Sequence, residues 1–205
     1  QVEGVFSFKV REVARVCRQV VVRTAQGVEW GAAVAVFAGP GHKDAVARNL
    51  VAKQQRLVLV DKDATALESA LASLADLATA DVQTIQANLA RTEDQDRVVQ
   101  RIEQEDELSL LINNAGFGNP APFHELEPQA HLDMLQVHVL STVRFCRAAL
   151  PGMSRSGRGD IINVSSMAAE LPVAGNVMYG STKGFLRTFS EILRIECEAI
   201  GVNVQ

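Results

Sequence analysis

The chain has 205 residues, 47% apolar and 21% charged, with a formal net charge of −4 and three dispersed cysteines, Cys17, Cys146 and Cys197. That length can bury a sizeable core, and the acidic balance leaves no basic footprint, so no nucleic-acid partner is expected. No apolar run reaches the roughly 18 residues needed to span a bilayer, and the cysteines lack framework spacing, so a cytoplasmic chain with free thiols and no membrane association is expected.

Residues 1–31 are read as an N-terminal segment of uncertain placement: "VFSFKV" alternates like a strand, and "REVARVCRQVVVRTA" suits a helix or a further strand. From residue 32 to 205 short β-branched runs alternate with longer periodic ones. Strands are predicted at 32–38, 56–61, 82–87, 108–114 and 160–166, and helices at 43–53, 64–77, 92–104 and 129–150. In 129–150, Leu132, Leu135, Val139, Val143 and Cys146 form an apolar stripe, and the helix after Gly180 carries Phe185, Leu186, Phe189, Ile192, Leu193 and Ile195 similarly. The chain closes on the strand-like "GVNVQ". Strands apolar on both faces, alternating with helices, predict an α/β fold: a Rossmann-like doubly wound parallel sheet in three α/β/α layers, one domain over 32–205. Ligands of such sheets sit at the carboxyl ends of the strands.

The turn after the first strand, "VFAGPGHKDAVAR", places Gly39 and Gly41 between strand and helix, where glycine lets backbone approach a pyrophosphate. No full GxGxxG pattern can be completed, so the stretch reads equally as an ordinary Gly-Pro-Gly turn. Asp61 ends the second strand roughly 20 residues on, where a carboxylate can accept from a ribose 2′-hydroxyl and would repel a 2′-phosphate. That favours NAD, while Lys62 beside it keeps NADP open. The fourth strand runs into "NNAGFGNP" (113–120), whose amides and glycines suit either close ligand approach or a tight turn.

The only tyrosine, Tyr179, stands four residues before Lys183, one turn apart on one helical face. A free phenol is a poor base near neutrality, but a cation held close favours its ionised form. Ser166, 13 residues upstream at a strand end, could hold a carbonyl oxygen. These groups together point to acid/base work on an alcohol or carbonyl.

"NNAG" (113–116), "IINVSS" (161–166) and "YGSTK" (179–183) resemble, in order and spacing, the signatures of the short-chain dehydrogenase/reductases, and the resemblance covers about residues 32–205. It implies an NAD(P)-dependent oxidoreductase acting on a small alcohol or carbonyl compound. Tyr179 would be the general acid/base, Ser166 would orient the substrate carbonyl, and Lys183 would bind the nicotinamide ribose and ease ionisation of Tyr179. Asn88 and Leu89, with Asn114, Ala115 and Gly116, would line the cofactor cleft beside Tyr179 and Lys183. The family's helices matching 129–150 and 180–200 commonly form a homodimer or homotetramer interface.

Three departures bear on activity. Phe37 and Lys43 occupy the first and last positions of the glycine signature, where a side chain would crowd the pyrophosphate path, and Gly41 holds the middle one. His138 stands where the family has a proton-relay asparagine, and a histidine can both donate and accept. The Pro-Gly turn, substrate loop and last strand that the family places after the sixth strand lie outside the 205 residues. The alternative expectation is therefore a catalytically inactive binding or scaffolding protein, or an incomplete enzyme, with impaired dinucleotide binding. His42, His124 and His131 show no metal-ligand spacing, so no metal is expected.

Overall fold

The computed structural model describes residues 30–37, 54–75 and 81–205. In chain order these form β1 (Trp30–Val36), β2 (Gln54–Asp61), α1 (Ala64–Leu74), β3 (Asp81–Gln86), α2 (Thr92–Glu103), β4 (Leu108–Asn113), α3 (Pro128–Leu135), α4 (Ser141–Ser156), β5 (Gly159–Asn163), α5 (Val177–Cys197) and β6 (Val202–Val204). Gly39, Gly41, His42, Lys43, the helix expected at 43–53 and residues 1–29 lie outside the described residues.

The strands pair in parallel in the order β3-β2-β1-β4-β5-β6. The period-two alternation of a strand sends neighbouring side chains to opposite faces. Ala33, Ala35 and Phe37 join Leu57, Leu59, Leu110 and Ile112 on one face, covered by Leu67, Ala70 and Leu74 of α1. Val34 and Val36 join Val58, Val60 and Leu111 on the other, covered from α2, α4 and α5 by Val98, Ile102, Phe145, Met153 and Cys197. This is the expected three-layer arrangement. Phe145 is fully buried, and truncating such a ring to alanine costs ~3–5 kcal/mol.

The structure differs from the expectation at four places. At the sheet edge, β3 exposes Asp81, Gln83, Thr84 and Gln86, so the expectation of strands apolar on both faces fails there; polar residues protect an edge from further pairing. β5 stops at Asn163 instead of 166, because Ser166 caps a short 3-10 turn (Met167–Ala169), its Oγ accepting from the Ala168 N–H at 3.2 Å. The helix expected after Gly180 starts earlier, at Val177, and so includes Tyr179.

The single helix expected over 129–150 is interrupted by one π-helical turn, Gln136–Leu140, between α3 and α4. Two side chains bond back to carbonyls of this turn: Ser141 Oγ donates to Val137 O at 2.7 Å, and Thr142 Oγ1 donates to His138 O at 3.0 Å. The inward face carries Met134, Val137, His138, Ser141, Thr142 and Phe145. Leu132 of the expected stripe is 53% exposed, and only Cys146 of that set is fully buried. On α5, Leu186 is buried and Phe189 and Leu193 pack on the core, whereas Phe185, Ile192 and Ile195 face outward.

Candidate active site

The order of the sheet reverses between β1 and β4, and a cleft opens at the carboxyl ends of the strands there. Phe37, Lys62, Ala87, Asn88, Leu89, Ala115, Gly116 and Val137 are among its walls. The loop after β4 is tied to β1 by Asn114, whose N–H donates to Val36 O at 3.0 Å. Asn88 is fixed from both sides: its N–H donates to Asp94 Oδ2 at 2.7 Å, and its Oδ1 accepts from the Ala90 N–H at 3.1 Å. The Arg97 guanidinium, with the Asn88 N–H, holds the Asp94 carboxyl below the usual carboxylate range. Leu89 is buried, and its carbonyl accepts from Gln95 Nε2 at 2.7 Å.

The expected ribose ligand, Asp61, is 1% exposed at the end of β2, with Oδ1 accepting from the Asp63 N–H at 3.0 Å. Its neighbour Lys62 is exposed and lines the cleft. Phe37 is buried in the core layer under α1 while also bounding the cleft.

Beyond the β4 loop, four elements converge. Lys183 of α5 is buried, and Nζ donates to Val164 O, just past β5, at 2.7 Å. Ser165 Oγ donates back to Lys183 O at 2.8 Å. Burial pulls the Lys183 ammonium down from 10.5 to about 8. Val164 O is its hydrogen-bond acceptor among the described residues, which leaves further N–H donors on a buried ammonium. A Cβ at Gly116 would stand 3.5 Å from that nitrogen and 3.0 Å from His138 Nε2, so only glycine leaves this floor open.

His138, at the middle of the π turn, is fully buried. Its Nε2 accepts from the Phe117 N–H at 3.0 Å, which assigns the ring proton to Nδ1. Nδ1–H then donates to Thr182 Oγ1 at 2.8 Å, and the Thr182 hydroxyl donates to Tyr179 O at 3.1 Å. Burial, with the Lys183 charge, pulls the imidazole down from 6.5 to about 3, so it is neutral at physiological pH. The ring meets Tyr179 edge-on, with centroids 5.8 Å apart at 77°.

Tyr179 is partly buried in the first turn of α5. A Cβ at the next residue, Gly180, would come within 3.0 Å of Ala168 O, so this turn lies close against the one capped by Ser166. Ser166 is half-buried, and its hydroxyl proton has no protein acceptor among the described residues. The structure thus brings Ser166, Tyr179, Lys183 and His138 to the same cleft end as Asn114, Ala115 and Gly116. Asn88 and Leu89 stand on an adjoining wall. Sequence reasoning missed Phe117 and Val164, which act through backbone groups that no side-chain pattern reveals. Thr182 was missed too, although it sits inside "YGSTK" one position before the lysine. Among the described residues no group of three or more His, Cys, Asp or Glu is placed to hold a metal.

Comparison with known proteins gives a consistent picture. The family model described as short chain dehydrogenase matches residues 33–205. A very-long-chain 3-oxoacyl-CoA reductase of Phaeosphaeria nodorum is 29% identical over 181 residues, 86% of this chain and 52% of that protein. The NADP-dependent 3-hydroxy acid dehydrogenase YdfG of Escherichia coli is 37% identical over 98 residues, 47% of this chain and 40% of that protein. The chain therefore spans about half the length of the curated relatives it matches. Among solved structures, a short-chain dehydrogenase from Sphingobium yanoikuyae in complex with NADPH superposes with a TM-score of 0.78 at 27% identity, over 85% of this chain and 69% of that one. A bulky-bulky ketone specific alcohol dehydrogenase from Comamonas testosteroni, at 24% identity and a TM-score of 0.80, shares the fold over 87% of this chain and 72% of its own.

Proposed function

The chain belongs to the short-chain dehydrogenases, a family of oxidoreductases, and from that premise we propose that it interconverts a secondary alcohol and a ketone or aldehyde. A nicotinamide dinucleotide is the proposed cofactor and Tyr179 the general acid/base. The observation that carries this reading is the buried Lys183 ammonium beside the open floor at Gly116, with donors to spare. Burying a charge is costly, and a cleft that presents its unused N–H groups to a ligand gives that cost a purpose.

The residues present fit such a cofactor. Lys183 would give its remaining N–H groups to the nicotinamide ribose. Gly116, with Asn114 and Ala115, admits a flat group close to backbone, and Asn88 and Leu89 form the neighbouring wall. Lys62 stands on the cleft wall, where it would suit NADP, and Asp61, buried beside it at the end of β2, would turn the preference toward NAD only if its carboxylate reached the ribose. Gly39 and Gly41 would approach the pyrophosphate. The NADPH bound by the Sphingobium protein and the NADP dependence named for the Escherichia coli relative support this cofactor class.

When bound, the nicotinamide supplies or accepts the hydride. Ser166 donates its free O–H to the substrate oxygen and polarises it. In reduction, the Tyr179 hydroxyl gives its proton to that oxygen as negative charge develops there; in oxidation it takes the proton back. The Lys183 charge stabilises the negative phenol oxygen in between.

A thermal-shift titration of the chain with NADH and NADPH separately tests the reading, because a ligand that binds only the folded state raises the melting temperature. A saturable rise with either supports it, and the larger of the two identifies the preferred cofactor. Identical melting with and without millimolar cofactor overturns it.

Two accompanying features belong to the same proposal. Leu132, Leu135 and Leu140 on the α3 side, and Phe185, Ile192 and Ile195 on α5, are exposed apolar residues that support assembly as a homodimer or homotetramer. Light scattering that finds only single chains would contradict this. Buried free Cys146 and Cys197 support a reducing compartment such as the cytoplasm, and no described helix is long and apolar enough to cross a membrane.

A further inference from the structure

We propose that His138 is a positioning residue that exchanges no proton during turnover: its neutral ring ties the loop after β4 to α5 and so fixes Tyr179 and Lys183 against the cleft. The inference rests on the roles given to Tyr179 and Lys183 above.

A relay needs a ring nitrogen that alternates between donating and accepting. Both nitrogens of His138 are already committed, and in opposite senses. Nε2 accepts from the Phe117 N–H at 3.0 Å, and Nδ1–H donates to Thr182 Oγ1 at 2.8 Å. Moving the proton to Nε2 would set two N–H groups facing one another at Phe117. It would also require the Thr182 hydroxyl to turn toward Nδ1, leaving the Tyr179 carbonyl without the donor that now lies 3.1 Å away. Gaining a second proton is opposed by complete burial and by the Lys183 ammonium.

The same contacts show what the ring does hold. Through Thr182 it grips the backbone of Tyr179 and the residue preceding Lys183, and through Phe117 it grips the loop whose Gly116 floors the cleft. The flanking aromatic rings, Phe117 at 5.7 Å and Tyr179 at 5.8 Å, both meet it edge-on and restrict its rotation.

The chain with 15N-labelled histidine, examined by NMR without substrate or cofactor, gives the primary test. A buried ring protonated on Nδ1 alone, unchanged from about pH 5 to about pH 8, is expected. A His138 ring that titrates in that range, or that carries its proton on Nε2, overturns the proposal.

Two variants supply the second test, read through hydrogen exchange at the Phe117 amide and along the first turns of α5. Glutamine carries one acceptor and one donor but cannot titrate, so His138→Gln is expected to keep the wild-type protection. His138→Ala is expected to lose it at both places, because the ring no longer joins them. Equal loss in both variants, or no loss in the alanine variant, overturns a positioning role. Should a variant fail to fold, the wild-type NMR result still decides. Full turnover in Tyr179→Phe would overturn the acid/base reading while leaving the ring assignment of His138 standing, so the two failures are distinguishable.

Discussion

Asn113, Cys146, Asn163 and Ser190 form one buried polar cluster between the central strands and the helices behind them; His138, Thr182 and Lys183 form another nearer the cleft. The first is neutral and nearly closed upon itself. Asn113 Nδ2 donates to Asn163 Oδ1 at 2.8 Å and toward Cys146 Sγ at 3.5 Å, and Asn163 Nδ2 donates to Ser190 Oγ at 2.9 Å. Only the Asn113 carbonyl oxygen lacks a partner there. Asn113 and Asn163 are also register partners of β4 and β5, so their bond locks the alignment of the two strands whose ends carry the site. The second cluster contains a buried charge and keeps donors in reserve. One cluster uses nearly all its hydrogen bonds within the fold, whereas the other keeps donors unused, and on the proposed reading stability and function should therefore respond oppositely to mutation.

The largest expected effect separates chemistry from both clusters. Tyr179→Phe should lower turnover by ~10²–10⁴-fold, the usual range for a general acid/base, while melting and cofactor-induced thermal shift stay near wild type. Steady-state kinetics beside calorimetry would show it, and a variant that loses its fold together with its activity would refute the separation.

Next comes Lys183→Met, which removes the buried charge. Below pH 8 the lysine is protonated in both folded and unfolded chains, and its burial costs the fold about 3 kcal/mol. As pH rises from about 8 to about 10.5 the folded chain releases the proton first, so wild-type stability climbs through that window by the same amount. The variant should be more stable at pH 7, less about 1 kcal/mol for the lost bond to Val164 O, with its advantage fading above pH 8. Its cofactor-induced thermal shift should vanish. Denaturant melts at several pH values measure the gap, and a gap that does not change with pH would sink the assignment.

The opposite behaviour is expected of Asn163→Ala. Stranding the Asn113 amide and taking from Ser190 Oγ the N–H it accepts, while its own bond to Leu186 O stays, should cost about 2 kcal/mol, with cofactor affinity little changed at temperatures where the variant is folded. Smallest is Gly116→Ala, whose Cβ must push His138 Nε2 from 3.0 Å; about 1 kcal/mol of cofactor affinity should go, read by fluorescence titration.

These clusters also mark where the sequence was legible. Continuously apolar runs such as "AAVAVFA" and the "LVLV" of "RLVLVD" suit a strand covered on both faces, so the sheet and its cleft followed directly from them. The spacing of Tyr179 and Lys183 was readable because one helical turn fixes it, whereas Ser166 stands past the strand end, on the turn it caps. The π turn was not, since the bonds that accompany it, from Ser141 and Thr142 to carbonyls one turn back, leave no mark in a pattern of apolar residues. For the same reason the expected stripe chose Leu132 and Leu135, while the face that packs inward holds His138, Ser141 and Thr142. The commitment of His138 depends on the Phe117 backbone N–H, whose position follows from the loop's path rather than from any side chain.

The strand order has a kinetic consequence. β1 lies at the centre of the sheet, yet its neighbour on one side is β4, with Ala32 paired to Leu108. The pairing that joins the halves of the sheet must therefore close a long intervening loop, and it becomes favourable only after each half has gained surface to bury. On a ribosome, β1 would emerge well before that neighbour exists, with β2 as its available partner and β3 joining on β2's far side. Refolding is expected to be slow for a domain of this size, with the β1–β4 seam, and the cleft at its end, completed last.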